Sequence, residues 1–369
     1  MQSEGARRAC GDARRALVFS ASPRNLRMVL LRRIPLLLLL ATLGGACHGG
    51  TRGGSPLFSL EDPRGDDHGD GELRYPLRED MGPGALDLLS FRAWPESGGT
   101  RFEATFARPI AVPQRRTVDS AGNTLADLAR LGFYTFNLDV YVDEDRQEGS
   151  GRTDTLPGRN LSLAPGSAWE KAIVLTPRPY EARDVLRKLW RESALAEAQR
   201  QQGSVSASAV RALDEQVERQ MEERVFFPTR VRVFGPTVSF FVPDSFLGGE
   251  AKPSWGYAVA VTGATLDRRV ELPALLGGVT APRAQGLMVL GIGPGVSQER
   301  FGGGRVGGSE QSPVVDLLVP EGVRQEEVLG PNAPGWPAVV PASPALPQAP
   351  DAGGVTGEGD APASSAPLE

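Results

Sequence analysis

Apolar and polar side chains alternate over several short stretches of this chain. In TRFEATFA, the side chains of Phe102, Ala104 and Phe106 fall on one face of an extended segment, and polar side chains fall on the other. The same alternation occurs in FNLDVYV, in YAVAVTG and in RVRVFG with TVSFFVP, a pair that predicts a hairpin around Gly235-Pro236. LMVLGIG and VVDLLV are nearly continuous apolar runs and are predicted to be buried strands. Short strands separated by Gly and Pro turns predict a mainly β protein, an antiparallel β-sandwich.

Residues 180–223 are predicted to be helical instead. Gly and Pro are nearly absent from this segment, and residues that favour helices predominate. The segment carries two apolar stripes with helical spacing, Val185, Leu186, Leu189 and Trp190 in the first and Val210, Leu213, Val217 and Met221 in the second. Gly203 predicts the break between them. We interpret the segment as a helical hairpin inserted between strands, whose stripes pack on one sheet rather than bind a partner.

The first 46 residues predict export. Arg32 and Arg33 precede a short apolar run at residues 34–43, and small residues lead to Cys47, as in a bacterial secretory signal. The small residues before Cys47 resemble a lipobox, in which the cysteine takes a diacylglyceryl group that anchors the chain to a membrane. The alternative is ordinary cleavage near Ala46, which leaves a free thiol. We therefore expect a secreted protein that is lipid-anchored to the cell envelope, at the outer membrane or the cell surface.

Composition divides the rest of the chain into three parts. Residues 47–56 are Gly-rich and predict a flexible tether. Residues 323–369 are rich in Pro, Ala and Gly and predict a disordered tail, because they hold too few large apolar side chains to offset the entropy of ordering. The predicted domain therefore spans residues 57–322.

Charge and cysteine content exclude several kinds of chemistry. The leader carries eight arginines and two acidic residues, so the net charge of −5 becomes −11 without it. Nucleic acid is therefore not an expected partner, because phosphate binding needs basic patches. Cys10 and Cys47 are the two cysteines, which leaves no disulfide and no cysteine-based zinc site in the predicted domain. The chain also lacks a Gly-x-Ser-x-Gly elbow and a Walker lysine, and we expect no enzyme activity.

Three stretches together resemble one known family. They are EDPRGDDHGDGELRYPLREDMGPGALDLLSFRAW from Glu61, LDVYVDEDRQEGSGRTDTLPGRNLSL from Leu138, and SWGYAVAVTG with RFGGGRVGGSEQSPVVDLL near the end. In this order and spacing they are similar to the opening, the central strand and the close of the surface-layer-like C-terminal binding module of glucodextranases. The resemblance covers roughly residues 58–319, with Leu73 in place of a tyrosine of the family pattern. It implies a non-catalytic β-sandwich related to family-nine carbohydrate-binding modules.

Two acidic segments predict a structural calcium site, because calcium takes six to eight oxygen ligands from carboxylates and backbone carbonyls. A Gly-rich loop supplies one half and the end of a strand the other; the candidate ligands are Asp62, Asp66, Asp67, Asp139, Asp143 and Asp145. Asp139 is predicted on the outward face of its strand. The alternative is an acidic turn whose carboxylates accept hydrogen bonds from backbone amides.

Aromatic side chains provide candidate sugar-binding positions, because the apolar faces of sugar rings lie flat on Trp or Tyr. We expect Trp94 and Trp169 to be exposed platforms with polar partners in a neighbouring loop, although core packing is the alternative for each aromatic. The candidate ligand-binding residues are Trp94, Trp169, Arg159, Asn160 and Trp255. The expected function is binding of a polysaccharide, an α-glucan or an envelope glycan, at the cell surface. The alternatives are a scaffold lipoprotein that binds another envelope protein without sugar affinity, and a hydrolase of unrecognised type.

Overall fold

A computed structural model describes residues 54–114, 124–265, 287–305, 311–330 and 337–344. In chain order the strands are β1 (Phe58–Glu61), β2 (Leu88–Glu96), β3 (Gly99–Phe106), β4 (Phe136–Asp143), β5 (Ser162–Leu163), β6 (Lys171–Leu175), β7 (Val225–Phe226), β8 (Val231–Phe234), β9 (Thr237–Pro243), β10 (Gly256–Gly263), β11 (Val314–Leu318) and β12 (Ala338–Val339). The helices are α1 (Leu125–Leu128), α2 (Pro179–Gln202), α3 (Ala207–Arg224), α4 (Asp244–Leu247) and α5 (Gln325–Leu329), with a 3₁₀ turn at Pro165–Ser167.

The strands form two five-stranded sheets, which confirms the predicted mainly β sandwich. The front sheet has the order β1-β2-β3-β9-β8, and every neighbouring pair is antiparallel. The back sheet has the order β11-β10-β4-β6-β7 and is antiparallel except for the β6–β7 pair. A separate two-stranded sheet joins β5 and β12 in parallel.

The apolar core between the two sheets follows from the alternation along the strands. On the front sheet, Phe91, Phe102 and Phe240 point inward, and the ring centroids of Phe91 and Phe102 are 5.4 Å apart in a stacked arrangement. Phe102 stacks in turn on Phe240 at 5.7 Å. The β8–β9 hairpin turns at Gly235, which has a positive φ of 58° that an L side chain rarely adopts. The predicted hairpin is therefore confirmed.

The back sheet is buried on both faces. All eight residues of β4 and all eight of β10 are buried. A second apolar layer lies outside this sheet and includes Tyr141, Trp169, Leu186 and Met221. The alternating pattern of FNLDVYV predicts that Asp139 and its polar neighbours face outward, and they do; the second layer covers that face, so they are not in contact with solvent.

The α2–α3 hairpin supplies much of this second layer, and the helical insertion predicted at residues 180–223 is confirmed. Helix α2 begins at Pro179, a residue suited to the first helical turn, and ends before Gly203, whose φ is 76°. Helix α3 begins after Ser206, whose side chain accepts a hydrogen bond from the backbone of Ala209. Within the described ranges, no helix combines the length and apolarity needed to cross a membrane.

Two features of the structure differ from what the sequence predicts. LMVLGIG forms only isolated bridges instead of a strand, and Met288 has a φ of 57°, which interrupts an extended conformation. The domain continues past residue 322, because α5 and β12 pack on the sheets and Ala342 exchanges backbone hydrogen bonds of 2.9 and 3.0 Å with Tyr257. The segment that carries α5 and β12 is rich in Pro, Ala and Gly, but the buried side chains of Leu329 and Val339 pack it against the rest of the domain. The leader, residues 47–53 with Cys47, and residues 345–369 lie outside the described residues.

Candidate functional site

The outer face of the front sheet is the one large sheet face that the described helices leave open. Helices α2 and α3 pack on the back sheet. On the front sheet, by contrast, the outward side chains of β2, β3 and β9 are half-buried, and those of Arg232 and Phe234 on β8 are exposed. Phe234 is 88% exposed at the tip of its hairpin. A flat, half-exposed face of this kind is available to a ligand.

A row of aromatic and arginine side chains crosses this open face. Trp94 on β2 lies opposite Arg101 on β3, which lies opposite Phe241 on β9. The guanidinium carbon of Arg101 is 5.2 Å from the centroid of the Trp94 ring, and that of Arg230 is 3.9 Å from the Phe241 ring. We call Trp94, Arg101, Phe241 and Arg230 the aromatic–arginine row. Cation–π contacts hold its members in place.

Glutamates on the same face orient both arginines of the row. Glu96 Oε1 lies 2.6 Å from Arg230 Nη2, and Glu96 Oε2 lies 3.8 Å from Arg101 Nε. Arg101 Nη1 also lies 3.2 Å from Glu103 Oε2. The indole Nε1 of Trp94 is buried and has no hydrogen-bond partner among the described residues. The face therefore combines ring surfaces with fixed donors and acceptors.

The structure contradicts most of the other predicted sugar-binding residues. Trp169 is 1% exposed, and its Nε1 donates to the carbonyl of Asp154 at 3.0 Å, so it is a core residue and not an exposed platform. Trp255 is 6% exposed. The side chain of Asn160 donates to the carbonyl of Gln311 at 2.9 Å. Trp169 and its neighbours are buried because the second apolar layer covers the back sheet; Trp94 is half-exposed because nothing described covers the front sheet.

Arg159 and Asp139 form a buried ion pair with each other. Arg159 Nε lies 2.5 Å from Asp139 Oδ2, Arg159 Nη2 lies 3.0 Å from Asp139 Oδ1, and both side chains are almost fully buried. Arg159 Nη1 also donates to the carbonyls of Leu287 and Pro157, at 2.7 and 3.3 Å. Arg159 is therefore wrong as a partner for sugar hydroxyls, and Asp139 is wrong as a metal ligand, because each already neutralises the other.

The six predicted metal ligands do not form one site. Asp143 and Asp145 lie in one acidic group with Glu170. Their oxygens accept hydrogen bonds from backbone amides and Ser150, including Arg146 N to Asp143 at 2.7 Å and Ser150 Oγ to Asp145 at 2.7 Å. Burial raises the pKa of Asp143 and of Glu170. This group matches the acidic turn with capped amides that the sequence allowed as an alternative.

A second group contains Asp66 together with Asp87 and Asp316, two residues outside the predicted set, and Asp62 interacts with both Asp66 and Asp316. We call these four residues the rim cluster. Oxygens of Asp66, Asp87 and Asp316 all lie within 4.8 Å of one another. Asp316 is 0% and Asp87 is 2% exposed. A signal for Asp316 was present in the sequence, since it is the single charged residue in the apolar strand VVDLLV.

Burial and mutual repulsion perturb the carboxyl groups of the rim cluster. Desolvation, followed by the charge of Asp66, raises the pKa of Asp62 to about 8. Desolvation, followed by the charge of Asp67, raises the pKa of Asp87 to about 6. Burial also raises the pKa of Asp66 and, together with the nearby charge of Asp62, that of Asp316. Each group is thus destabilised as an anion in its present surroundings.

Asp67, predicted as a ligand, is instead a hydrogen-bond acceptor next to the rim cluster. Its Oδ2 accepts from the hydroxyl of Tyr75 and, at 2.6 Å, from the backbone of Gly84. The same hydroxyl of Tyr75 accepts from the backbone of Leu86 at 3.2 Å. These bonds fix the loop that carries Asp66.

A cleft of about 550 Å³ opens beside this loop. Its lining includes His68, Arg74, Tyr75, Leu77 and Arg78. Leu77 is 64% exposed, but the Tyr75 hydroxyl is already bonded within the protein. The ring of Tyr75 is half-buried and contacts Phe301 at a centroid distance of 5.6 Å.

The chain is thus a two-sheet body with one covered sheet and one sheet whose outer face the described helices leave open. The family model described as the SLH-like C-terminal binding module of glucodextranase matches residues 57–341, which is more than half of the 369-residue chain. The chain therefore belongs to this family, and the predicted resemblance is confirmed. The family describes a binding module and not a catalytic domain. A search of curated proteins finds no match to the chain.

Proposed function

We propose that this chain is a non-catalytic module that binds glycan on the outer face of its front sheet. The observation that carries the proposal is the aromatic–arginine row on the sheet face that the described helices leave open. Membership of a binding-module family supports the general role. The residue assignment is our own and rests on the geometry of this face.

The row offers both kinds of contact that a sugar requires. The apolar C–H face of a sugar ring can pack against the Trp94 indole, which is half-exposed. The carboxylate of Glu96 and the guanidinium groups of Arg101 and Arg230 then supply acceptors and donors for hydroxyl groups. Because ion pairs already hold these polar groups in place, binding requires little additional ordering of side chains.

Binding of the full-length chain to insoluble α-glucan and to a glycan array tests this proposal. We expect Trp94→Ala to weaken binding by about tenfold or more, since central aromatic residues of an interface contribute at least about 1.4 kcal/mol. Phe241→Ala is expected to act in the same direction. Tyr180→Ala is the matched control, because Tyr180 is 72% exposed but lies at the start of α2, away from the front sheet.

Thermal melting of each variant verifies that the fold is intact. Unchanged glycan affinity in both Trp94→Ala and Phe241→Ala would remove the front sheet from consideration. If the unmodified chain binds no glycan but co-purifies with an envelope protein in stoichiometric amount, the scaffold alternative replaces the sugar-binding role. The α2–α3 helical hairpin gives the scaffold alternative little support, because the solvent-facing side of α2 carries ion pairs such as Arg187–Asp184 and Arg200–Glu197.

We further propose that the module is secreted and held at the cell envelope by a lipid on Cys47. The support is the sequence of charged, apolar and small residues before this cysteine. Metabolic labelling with a fatty-acid analogue and membrane fractionation test the anchor. The expected result is labelling of the unmodified chain and release of Cys47→Ala into the soluble fraction; labelling of Cys47→Ala to the same extent would contradict it.

A further inference from the structure

We infer that the rim cluster, Asp62, Asp66, Asp87 and Asp316, is a calcium site that clamps the two sheets together at one edge of the sandwich. It differs from the six ligands expected from the sequence, since Asp87 and Asp316 replace Asp67, Asp139, Asp143 and Asp145. The inference does not depend on the proposed glycan site, which lies on other residues.

The carboxylates of the rim cluster are oriented by the fold and leave free oxygens. Asp87 Oδ2 accepts a hydrogen bond from Gly65 N at 2.9 Å, and Asp316 Oδ2 accepts one from Leu88 N at 2.6 Å. In both residues the other oxygen, Oδ1, is buried and has no hydrogen-bond partner among the described residues. A backbone donor thus holds one oxygen of each carboxylate, and the second is left available to a cation.

Asp62 and Asp66 add three further oxygens of the same kind. Both side-chain oxygens of Asp62 and Oδ1 of Asp66 are buried and, within the described ranges, accept no hydrogen bond. The side chains of Asp62 and Asp316 are within hydrogen-bonding distance of each other. When both are ionised, neither carries a proton to donate, and the contact is repulsive. Five buried oxygens in one cluster therefore lack a partner, and an unpartnered buried acceptor is destabilising.

No direct ion pair neutralises this charge among the described residues; Arg64 acts on Asp87 only from a longer distance. Within the part of the chain that the structure describes, none of the four carboxylates has a Lys or Arg nitrogen within 4.0 Å; the ion pairs of neighbouring residues, such as His68 with Glu326 at 3.8 Å, lie outside the cluster. Asp87 and Asp316 are buried and Asp62 and Asp66 are half-buried, so the four carboxylates repel one another when no ion pair compensates them. A divalent cation removes the repulsion and satisfies the free oxygens at the same time.

The all-carboxylate ligand set is the chemistry that calcium takes. Oxygens within 4.8 Å of one another can share a calcium ion, whose ligands lie at about 2.3–2.6 Å, so that opposite ligands are up to about 5 Å apart. Magnesium demands ligands at about 2.0–2.1 Å in a nearly ideal octahedron. Segments from three parts of the chain supply the cluster, and water or backbone carbonyls would complete the six to eight oxygen ligands of calcium.

The position of the cluster explains what the cation does. Asp87 directly precedes β2 of the front sheet, Asp316 lies on β11 of the back sheet, and Asp62 follows β1. The bond from Leu88 N to Asp316 already joins segments 228 residues apart along the chain. A cation bound here ties the opening loop and both sheets together, and its removal is expected to loosen this edge first.

Thermal unfolding of the full-length chain, stripped with chelator and then titrated with calcium chloride, tests the inference. A cation bound by the folded state alone raises the melting temperature, by about 5–10 °C when calcium is present at about 100 times its Kd. Magnesium at the same concentration is expected to produce a smaller shift. Titration calorimetry should show one binding event.

Two variants separate calcium binding from folding. Asp316→Asn keeps an acceptor for Leu88 N, and Asp62→Asn breaks no hydrogen bond of the described residues. Both should lose the calcium-dependent shift, and in chelator Asp316→Asn should melt at the same temperature as the unmodified chain or higher, because a repelling charge is gone. Asp145→Asn in the separate acidic turn is the matched control and should keep the full shift.

The inference is overturned if calcium does not raise the melting temperature of the unmodified chain, or if Asp62→Asn retains the full response. Should Asp316→Asn fail to fold, Asp62→Asn decides the question, because it leaves the buried Leu88 contact intact. Glycan binding by the calcium-free chain is measured in parallel. If the unmodified chain binds glycan but does not respond to calcium, the calcium site is wrong. If it responds to calcium but does not bind glycan, the glycan-binding face is wrong.

Discussion

The buried Arg159–Asp139 pair provides a quantitative test of the covered back sheet. In Asp139→Asn, the size and shape of the side chain are kept while its charge is lost, and the Arg159 guanidinium, which is 0% exposed, stays buried without a counter-ion. Removal of one partner of a buried ion pair costs about 3–5 kcal/mol. For a domain of this size, that loss corresponds to a decrease in melting temperature of about 6–20 °C.

Urea unfolding of the full-length chain measures this loss. We expect the midpoint to fall while the m-value stays constant, because the amount of surface exposed on unfolding does not change. The double variant Asp139→Leu with Arg159→Met tests the cause. It removes both charges and should recover about half or more of the lost free energy of unfolding. The rest of the loss arises because the carbonyls of Leu287 and Pro157 no longer receive a hydrogen bond from Arg159, and an unsatisfied buried group costs about 1–3 kcal/mol.

A change of less than about 1 kcal/mol in Asp139→Asn would refute this reasoning, because it would mean that water reaches Arg159 and that the second apolar layer does not cover the back sheet. A double variant that is as unstable as the single one would show that packing, and not charge, dominates at this position.

Two further predictions concern packing. Leu186→Ala, in the layer between α2 and the back sheet, should lower the free energy of unfolding by about 2–5 kcal/mol in urea titrations. The control Leu77→Ala, at a residue that is 64% exposed, should change it by less than about 0.5 kcal/mol. Equal effects of the two variants would contradict the packing of the α2–α3 hairpin on the back sheet. Gly99→Ala places a Cβ 2.2 Å from the Val242 carbonyl, so it should destabilise the front sheet by about 1–3 kcal/mol and weaken glycan binding. Gly166→Ala, with no atom within 4 Å of its Cβ, is the control and should be neutral in both assays.

The strands of the front sheet and the helical hairpin could be predicted because their patterns are local. In β3 and β9, one side of each strand faces an apolar core and the other faces the surface, so that the period of two is present in the residues themselves. In α2 and α3, the same reasoning applies to a period near 3.6 and to the break at Gly203. The family could be identified for the same reason, since its characteristic stretches are continuous in sequence.

The sites could be predicted only in part, because they depend on which faces are covered and which distant residues meet. Trp94 and Trp169 are equivalent by composition, but the second apolar layer buries Trp169 and leaves Trp94 half-exposed. Asp139 faces outward from its strand, as the pattern predicts, but Arg159, which lies 20 residues further along the chain, packs against it and neutralises it.

Sequence alone therefore determined the class of fold, the inserted hairpin and the family. Tertiary structure decided that Asp316 meets Asp62 and that Asp143 belongs to another group. The physical reason is that periodicity records whether a position faces the core, whereas a site depends on contacts between segments that are more than two hundred residues apart, and such contacts leave no local pattern.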